Sequence, residues 1–402
     1  MDFQDSSAEA EYRAKARSWL EANAPATRVP GHEGDPEHKA AAKAWQAKKA
    51  EAGYACITWP REWGGGGGTP IDSVIFGQEE AKFSVPGGYF TIGLGMCVPT
   101  VMAFSDDATK QRFVGPAVRG EEIWCQLFSE PAGGSDVAAI RTRAVRDGDE
   151  WVINGQKVWT SGAHYSDFGI VLVRTNPDVP KHKGLTMFWI DMHAPGVEVR
   201  PIHQASGGSN FNEVFFNDVR IPDSQRLGAV DDGWKVALVT LMNERLAVGS
   251  LGGVGAEDIL RAAAEVDTEN GPMVRDAGFR QRLADWYVQA QGLRNTRMRT
   301  ITALSRGQTP GPESSIGKII SATQLQEIGN AALEMEEQFG IIDDPALVPL
   351  KAAFQNAVMS SPGLRIAGGT DEILRNIIAE RVLGLPGEIR VDKDLPFKDV
   401  KH

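Results

Sequence analysis

The sequence predicts a multi-domain α+β fold. It places a helical N-terminal domain over residues 1–122, a β domain over 123–229, and a C-terminal helical bundle with a tail over 230–402. Three observations predict this. Apolar residues recur at helical spacing toward both ends of the chain. From about Glu122 to Pro222 the period drops to two, with Pro180, Pro195 and Pro222 falling between or after the runs. At 402 residues, with 42% hydrophobic and 24% charged side chains, the chain has the size and composition of a globular protein with more than one core. Helices, then strands, then helices gives three units with the all-β unit in the middle.

In the first unit, Asp5, Ser6 and Ser7 offer N-caps for a helix running to about Ala22, ended by Asn23-Ala24-Pro25. A second helix is expected from His38 to about Ala52. The Gly64–Gly68 run reads as a flexible connection; no strand precedes it and no Lys-Ser/Thr follows, so it fails as a phosphate cradle. The apolar stretch from Tyr89 to Phe104 is broken by Gly93, Gly95 and Pro99, which makes it a buried loop and helix, not a membrane span. A short helix from Asp106 to Val114 is expected to stop at Gly115-Pro116.

In the β unit, Ile140–Arg146 and Trp151–Ile153 flank Asp147-Gly148-Asp149, a hairpin signal. Further strands are predicted over Phe168–Arg174, Leu185–Asp191, Val197–Ile202 and Glu213–Val219. Beyond Asp231-Asp232-Gly233, helices are predicted over Trp234–Leu251, Pro272–Arg306, Gly317–Phe339 and from Thr370 to Leu383, followed by a charged, extended tail.

A formal charge of −11 argues against nucleic acid or an anionic membrane as the main partner. Cys56, Cys97 and Cys125 are isolated and show no metal-ligand spacing, so no metal is expected and a reduced, cytoplasmic setting is. The N-terminus carries neither a basic nor an apolar signal region.

Two segments carry the chemistry. Phe128-Ser129-Glu130-Pro131-Ala132-Gly133-Gly134-Ser135-Asp136 is a small-residue loop whose hydroxyls and backbone amides can meet a ligand closely. Gln156-Lys157-Val158-Trp159-Thr160-Ser161-Gly162 sets a large aromatic beside two hydroxyls. Each has an ordinary reading, a capped turn for the loop and a core tryptophan for the strand. Together they suit a planar heteroaromatic cofactor bearing phosphates.

The pair resembles the flavin-binding middle domain of the acyl-CoA dehydrogenases. The resemblance extends to Trp59-Pro60, Val98-Pro99-Thr100 and the closing Gly-Gly-Thr-Asp-Glu-Ile-Leu-Arg-Asn-Ile-Ile-Ala-Glu-Arg. It implies a helical N-domain, a middle β-barrel and a C-terminal four-helix bundle, with FAD as cofactor and acyl-CoA as substrate. It further implies that Gln126, Leu127, Phe128, Ser129, Gly134, Ser135, Trp159, Thr160 and Ser161 line the flavin. Ser129 would bond the pyrimidine side, Trp159 would pack on the ring, and Ser161 would sit near N5. Ser135 would also face the substrate, and Thr370 and Glu372 would meet the FAD pyrophosphate.

Many relatives carry their catalytic glutamate directly before the Gly-Thr of the last helix. Here that position is Gly368, which has no side chain to take a proton. A minority, similar to the isovaleryl and long-chain enzymes, uses a glutamate on the first C-domain helix, and Glu244 occupies that position in Met242-Asn243-Glu244-Arg245. By this resemblance Glu244 takes the α-proton while the β-hydride passes to flavin N5, giving a trans-2-enoyl-CoA. The Gly368 amide and a ribityl hydroxyl would hold the thioester carbonyl, Asn243 and Gly369 would border the acyl group, and Arg245 would face CoA. Electrons would go to an electron-transferring flavoprotein, within fatty acid β-oxidation or other lipid metabolism.

Two departures stand out: the Arg-x-x-Phe-Gly and Gln-x-x-Gly-Gly-x-Gly segments that reach a neighbouring subunit's FAD have no counterpart, the second region reading Glu336-Glu337-Gln338-Phe339-Gly340-Ile341-Ile342. A homotetramer and an α2β2 heteromer are therefore both open, as are a non-enzymatic partner subunit and a same-fold oxidase or monooxygenase.

Overall fold

The computed structural model describes residues 5–400, apart from 32, 248–252, 269–270, 307, 309–310 and 390. Two compact units divide the chain, one of Val248–Glu388 and one of Gln4–Ala247 with Ile389–His402.

The larger unit opens with α1 (Ser7–Asn23), which Ser6 caps through a reciprocal box with Glu9. Then come α2 (Pro36–Glu51) and α3 (Pro70–Glu80). Helix α3 was not expected, although Thr69, Pro70 and Asp72 spell its start: a second capping box with proline in the first turn. It carries Glu79, which is buried and receives Arg13 and Arg17 from α1 and Lys82 beyond its own end. The glycine run corrects the sequence reading. It is a packed turn, with amides of Gly65, Gly66, Gly67 and Gly68 bonded to the carbonyls of Pro60, Cys56, Trp59 and Ile57. A Cβ at Gly65 would lie 2.4 Å from the Trp59 carbonyl oxygen, so contact and not flexibility demands glycine there.

A π-helical turn (Gly93–Cys97) leads into α4 (Val98–Phe104), and α5 (Asp107–Val118) follows. Helix α5 runs through Pro116 instead of stopping before it. Phe113, Val114, Ala117 and Val118 are all buried, and their packing outweighs one lost backbone hydrogen bond near the helix end.

The middle region is an eight-stranded sheet. Strands β1 (Trp124–Leu127), β4 (Phe168–Arg174), β5 (Leu185–Asp191) and β8 (Arg226–Leu227) make one half. Strands β2 (Arg143–Asp147), β3 (Glu150–Ser161), β7 (Phe211–Pro222) and β6 (Val197–Ile202) make the other. The halves join at a single parallel bridge, Arg143 to Arg174. They share one core, in which Val171, Val173, Phe188 and Ile190 meet Trp151, Ile153, Val214 and Phe216. Among the described residues the strand order runs β6-β7-β3-β2-β4-β5-β8, with β1 pairing β4, which makes up the expected middle β domain. Helix α6 (Gly233–Ala247) packs in this unit: Val236 and Ala237 enter the core around Trp124, and Thr240 and Thr100 hydroxyls meet at 2.8 Å.

The smaller unit holds α7 (Ala256–Glu265), α8 (Ala277–Ser305), α9 (Ser314–Glu336) and α10 (Ala353–Leu364), with α11 (Asp371–Ile377) prolonged by a π-helical turn to Val382. Four helices face one core through Ile259, Ala263, Phe279, Trp286, Ile328, Ala332 and Phe354. Helix α8 starts at Ala277 and not at Pro272, which instead ends a two-residue strand.

Candidate active site

The loop after β1 and the end of β3 are held together by a buried ion pair that the motif reading did not anticipate. Lys157 is fully buried; its Nζ donates to the Phe128 carbonyl at 3.0 Å and to Glu130 Oε1 at 2.8 Å. Glu130 also accepts from the amides of Arg141 and Thr142, at 2.6 and 2.9 Å. Burial brings the Lys157 ammonium down to about 8, with Glu130 pulling the other way. Burial raises the Glu130 carboxyl, but Lys157 and the two amides outweigh it and leave it below its usual value. The Val158 amide then donates to the Ser129 carbonyl at 2.9 Å. A second turn closes the loop on itself, Glu130 and Gly133 exchanging backbone bonds at 2.9 and 3.0 Å. An alternating strand with a lysine on its apolar side was the signal that could have revealed this pairing.

Beyond that brace the strand bulges. The register against β7 shifts between Lys157 and Thr160, and Trp159 adopts φ +60°, a conformation rare for a bulky side chain. The residue is 58% exposed, which removes the core reading of this tryptophan. Thr160 points inward and its buried hydroxyl has no partner, while its carbonyl accepts from Asn212 at 2.9 Å. Ser161 is half-buried at the strand end, Gln126 and Ser129 are half-buried, and Gly134 and Ser135 are exposed. Leu127 and Phe128 turn their side chains into the core and leave only backbone for a ligand.

Thr370 is the N-cap of α11, its hydroxyl accepting from the Ile373 amide at 3.3 Å. The Glu372 backbone amide and the Thr370 hydroxyl hold the Glu372 carboxyl below its usual range. Gly368 and Gly369 take φ +66° and +90°, a region in which L side chains carry strain, so glycine suits both positions. The Gly369 carbonyl accepts from Lys318 at 2.6 Å. Asn243 is half-buried on α6. Glu244 and Arg245 lie on the same helix, and their side chains fall outside the described residues. Ser129 and the end of β3 are joined by the Val158–Ser129 bond; Ser135 lies in the same larger unit, and Gly368–Glu372 in the smaller one.

An exposed indole on a braced bulge, flanked by hydroxyls and a glycine loop, defines a site for a flat ring system. Comparison with known proteins makes that class specific. Descriptions of the acyl-CoA dehydrogenase N-terminal, middle and C-terminal domains match residues 6–121, 125–219 and 231–383. Acyl-CoA dehydrogenase IpdE1 of Mycobacterium tuberculosis is 36% identical over 94% of this chain and 98% of its own length. Acyl-CoA dehydrogenase FadE34 of the same organism is 38% identical over 85% of this chain, which spans 46% of that longer protein. Among solved structures, the ChsE4–ChsE5 complex of M. tuberculosis superposes with a TM-score of 0.78 and 26% identity, covering 96% of this chain and 100% of that one. The chain belongs to the acyl-CoA dehydrogenase family of FAD-dependent oxidoreductases.

The middle-domain residues fit FAD. Trp159 is exposed beside the Phe211 ring, with centroids 6.0 Å apart and planes at 86°, and the hydroxyls of Ser129, Ser135 and Ser161 lie on the loop and the strand end. Among the described residues no cluster of His, Cys, Asp or Glu could hold a metal, and no helix is long and apolar enough to cross a membrane.

Proposed function

We propose that this protein dehydrogenates an acyl-CoA thioester across its α and β carbons, with Glu244 as the base. The observation that carries the reading is the pairing of an empty proton-acceptor position at Gly368 with a glutamate at 244. When bound, FAD supplies the acceptor for the hydride that leaves the β-carbon. The chain's residues do the rest. Trp159 and the Ser129–Ser135 loop orient the ring. Glu244 takes the α-proton, and a backbone amide donating to the thioester carbonyl, the role the family resemblance gives to Gly368, would stabilise the enolate. In the sequence, Leu241, Ala247 and Val248 stand three and four positions from Glu244, an apolar sequence setting. The family resemblance assigns Asn243 to the acyl group and Arg245 to CoA. A base on this helix accompanies branched, long or bulky acyl chains in the family, and we assign that class here, with an electron-transferring flavoprotein as acceptor.

The experiment is a panel of acyl-CoA thioesters scored by flavin bleaching without oxygen. Bleaching by bulky members supports the reading; a flavin-loaded protein that none of them bleaches overturns it.

Two observations favour a second assembly. The segments that reach a neighbour's FAD have no counterpart in the sequence, and the ChsE4–ChsE5 complex, similar over 96% of this chain, has two components. An α2β2 heteromer in which this chain is one partner accounts for both. Purification alone, followed by flavin stoichiometry, distinguishes it from a homotetramer: a heteromeric subunit would carry substoichiometric FAD.

A further inference from the structure

The charged tail has no place in the reaction above, yet it is docked. The Phe397 and Lys398 amides donate to the carbonyls of Val179 and Pro177 at 2.9 and 3.1 Å, and Pro396 bridges to Pro180. Two further contacts reach from the tail toward the ligand loop. The Phe397 ring lies 3.9 Å from the guanidinium carbon of buried Arg174, at the end of β4. That guanidinium donates to the Ala138 carbonyl at 2.6 Å and to the Lys181 carbonyl at 2.7 Å, so it ties the stretch after Asp136 to the turn under the tail. Lys181 Nζ, largely shielded, meets Asp136 Oδ2 at 2.7 Å and Asp392 Oδ2 at 2.8 Å. Asp136 closes the Ser129–Asp136 loop; Asp392 belongs to the tail. Without the ammonium between them the two carboxylates would repel.

We propose that the segment Asp392–Val400 is a strap that positions the ligand loop, holding Asp136 through Lys181 and Ala138 through Arg174, so that Ser135 is pre-set for its ligand. The last clause rests on the function proposed above; the strap itself does not. Ordering the loop before binding lowers the cost of binding, so loosening it weakens affinity more than it slows chemistry. Burial disfavours the charge on Lys181, yet its two carboxylates prevail and hold it above the usual value. The strap therefore keeps both ion-pair contacts across neutral pH.

The test is amide hydrogen exchange on the full-length chain, with the double substitution Asp392→Asn, Phe397→Ala. Loss of one partly shielded ion pair and one cation–π contact predicts about tenfold faster exchange in residues 133–140. The variant Asp392→Asn with Phe397→Tyr, which keeps an aromatic ring over Arg174, should recover the part of the protection that the ring supplies. Substituting Lys398→Ala, which removes only an exposed pair with Asp178, should leave that stretch within about twofold of wild type. Should the double variant fold poorly, Asp392→Asn alone gives the same direction at a smaller scale. On turnover, KM for acyl-CoA should rise several-fold while kcat changes less than about twofold. Unchanged exchange in residues 133–140, whether the tail is released or not, overturns the strap. The exchange readout needs no substrate, so an absence of turnover would count against the proposed function and leave the strap standing.

Discussion

At the scale of single residues, the bulge at Trp159 separates fold from function. A residue 58% exposed contributes little to the core, and one held at φ +60° costs conformational energy. Trp159→Ala should therefore leave the unfolding free energy within about 0.5 kcal/mol of wild type. FAD affinity should fall about 3- to 10-fold, the loss of one aromatic contact. Denaturant melts and flavin-fluorescence titration measure the two. A large loss of stability with unchanged FAD affinity would return Trp159 to a structural role. The sequence made the tryptophan visible and left its surroundings ambiguous. Lys157, two residues earlier, was passed over because a lysine in a strand usually faces water; here the Glu130 carboxylate and the Phe128 carbonyl let it face inward.

At the scale of elements, the N-terminal helices are pinned by Glu79. The Arg17 hydrogen bond, then Lys82 and Arg13 against the cost of burial, bring its carboxyl down to about 2. A depressed carboxylate stabilises the fold at pH values above its unfolded pKa, near 4.5, and loses that contribution as pH falls through 2. Full linkage would be about 3 kcal/mol, and screening at the half-exposed Arg17 and Lys82 trims it to roughly 2. Glu79→Gln should thus be less stable than wild type by about 2 kcal/mol at pH 6, with the gap closing toward pH 2, as urea titrations across that range would show. A gap independent of pH would mean that the charge on Glu79 contributes nothing. Legibility at this scale followed local signals. Strands Phe168–Arg174, Leu185–Asp191 and Val197–Ile202 were read to the residue, because proline and glycine mark their ends. Helices α3, α7 and α10 were missed. Two of them are short or Ala-rich, and α10 contains Pro362, so periodicity and breakers gave conflicting signals.

At the scale of the whole molecule, sequence motifs led to the family, and family descriptions across all three regions agree. What motifs could not convey was the tail returning to the middle sheet, α6 sharing the core around Trp124, and a glycine run serving as a packed turn. The first two depend on contacts between residues far apart in the chain, and the third on a local backbone hydrogen-bond pattern that composition does not reveal. The same limit explains why acyl chain class is argued from the location of one glutamate and not from a cavity. That glutamate is where the account is most exposed. The direct measurement is single-turnover flavin bleaching of Glu244→Gln, reconstituted with FAD, against wild type. The account predicts an unchanged visible spectrum and a bleaching rate lower by roughly 10²- to 10⁴-fold. Bleaching at the wild-type rate would contradict it.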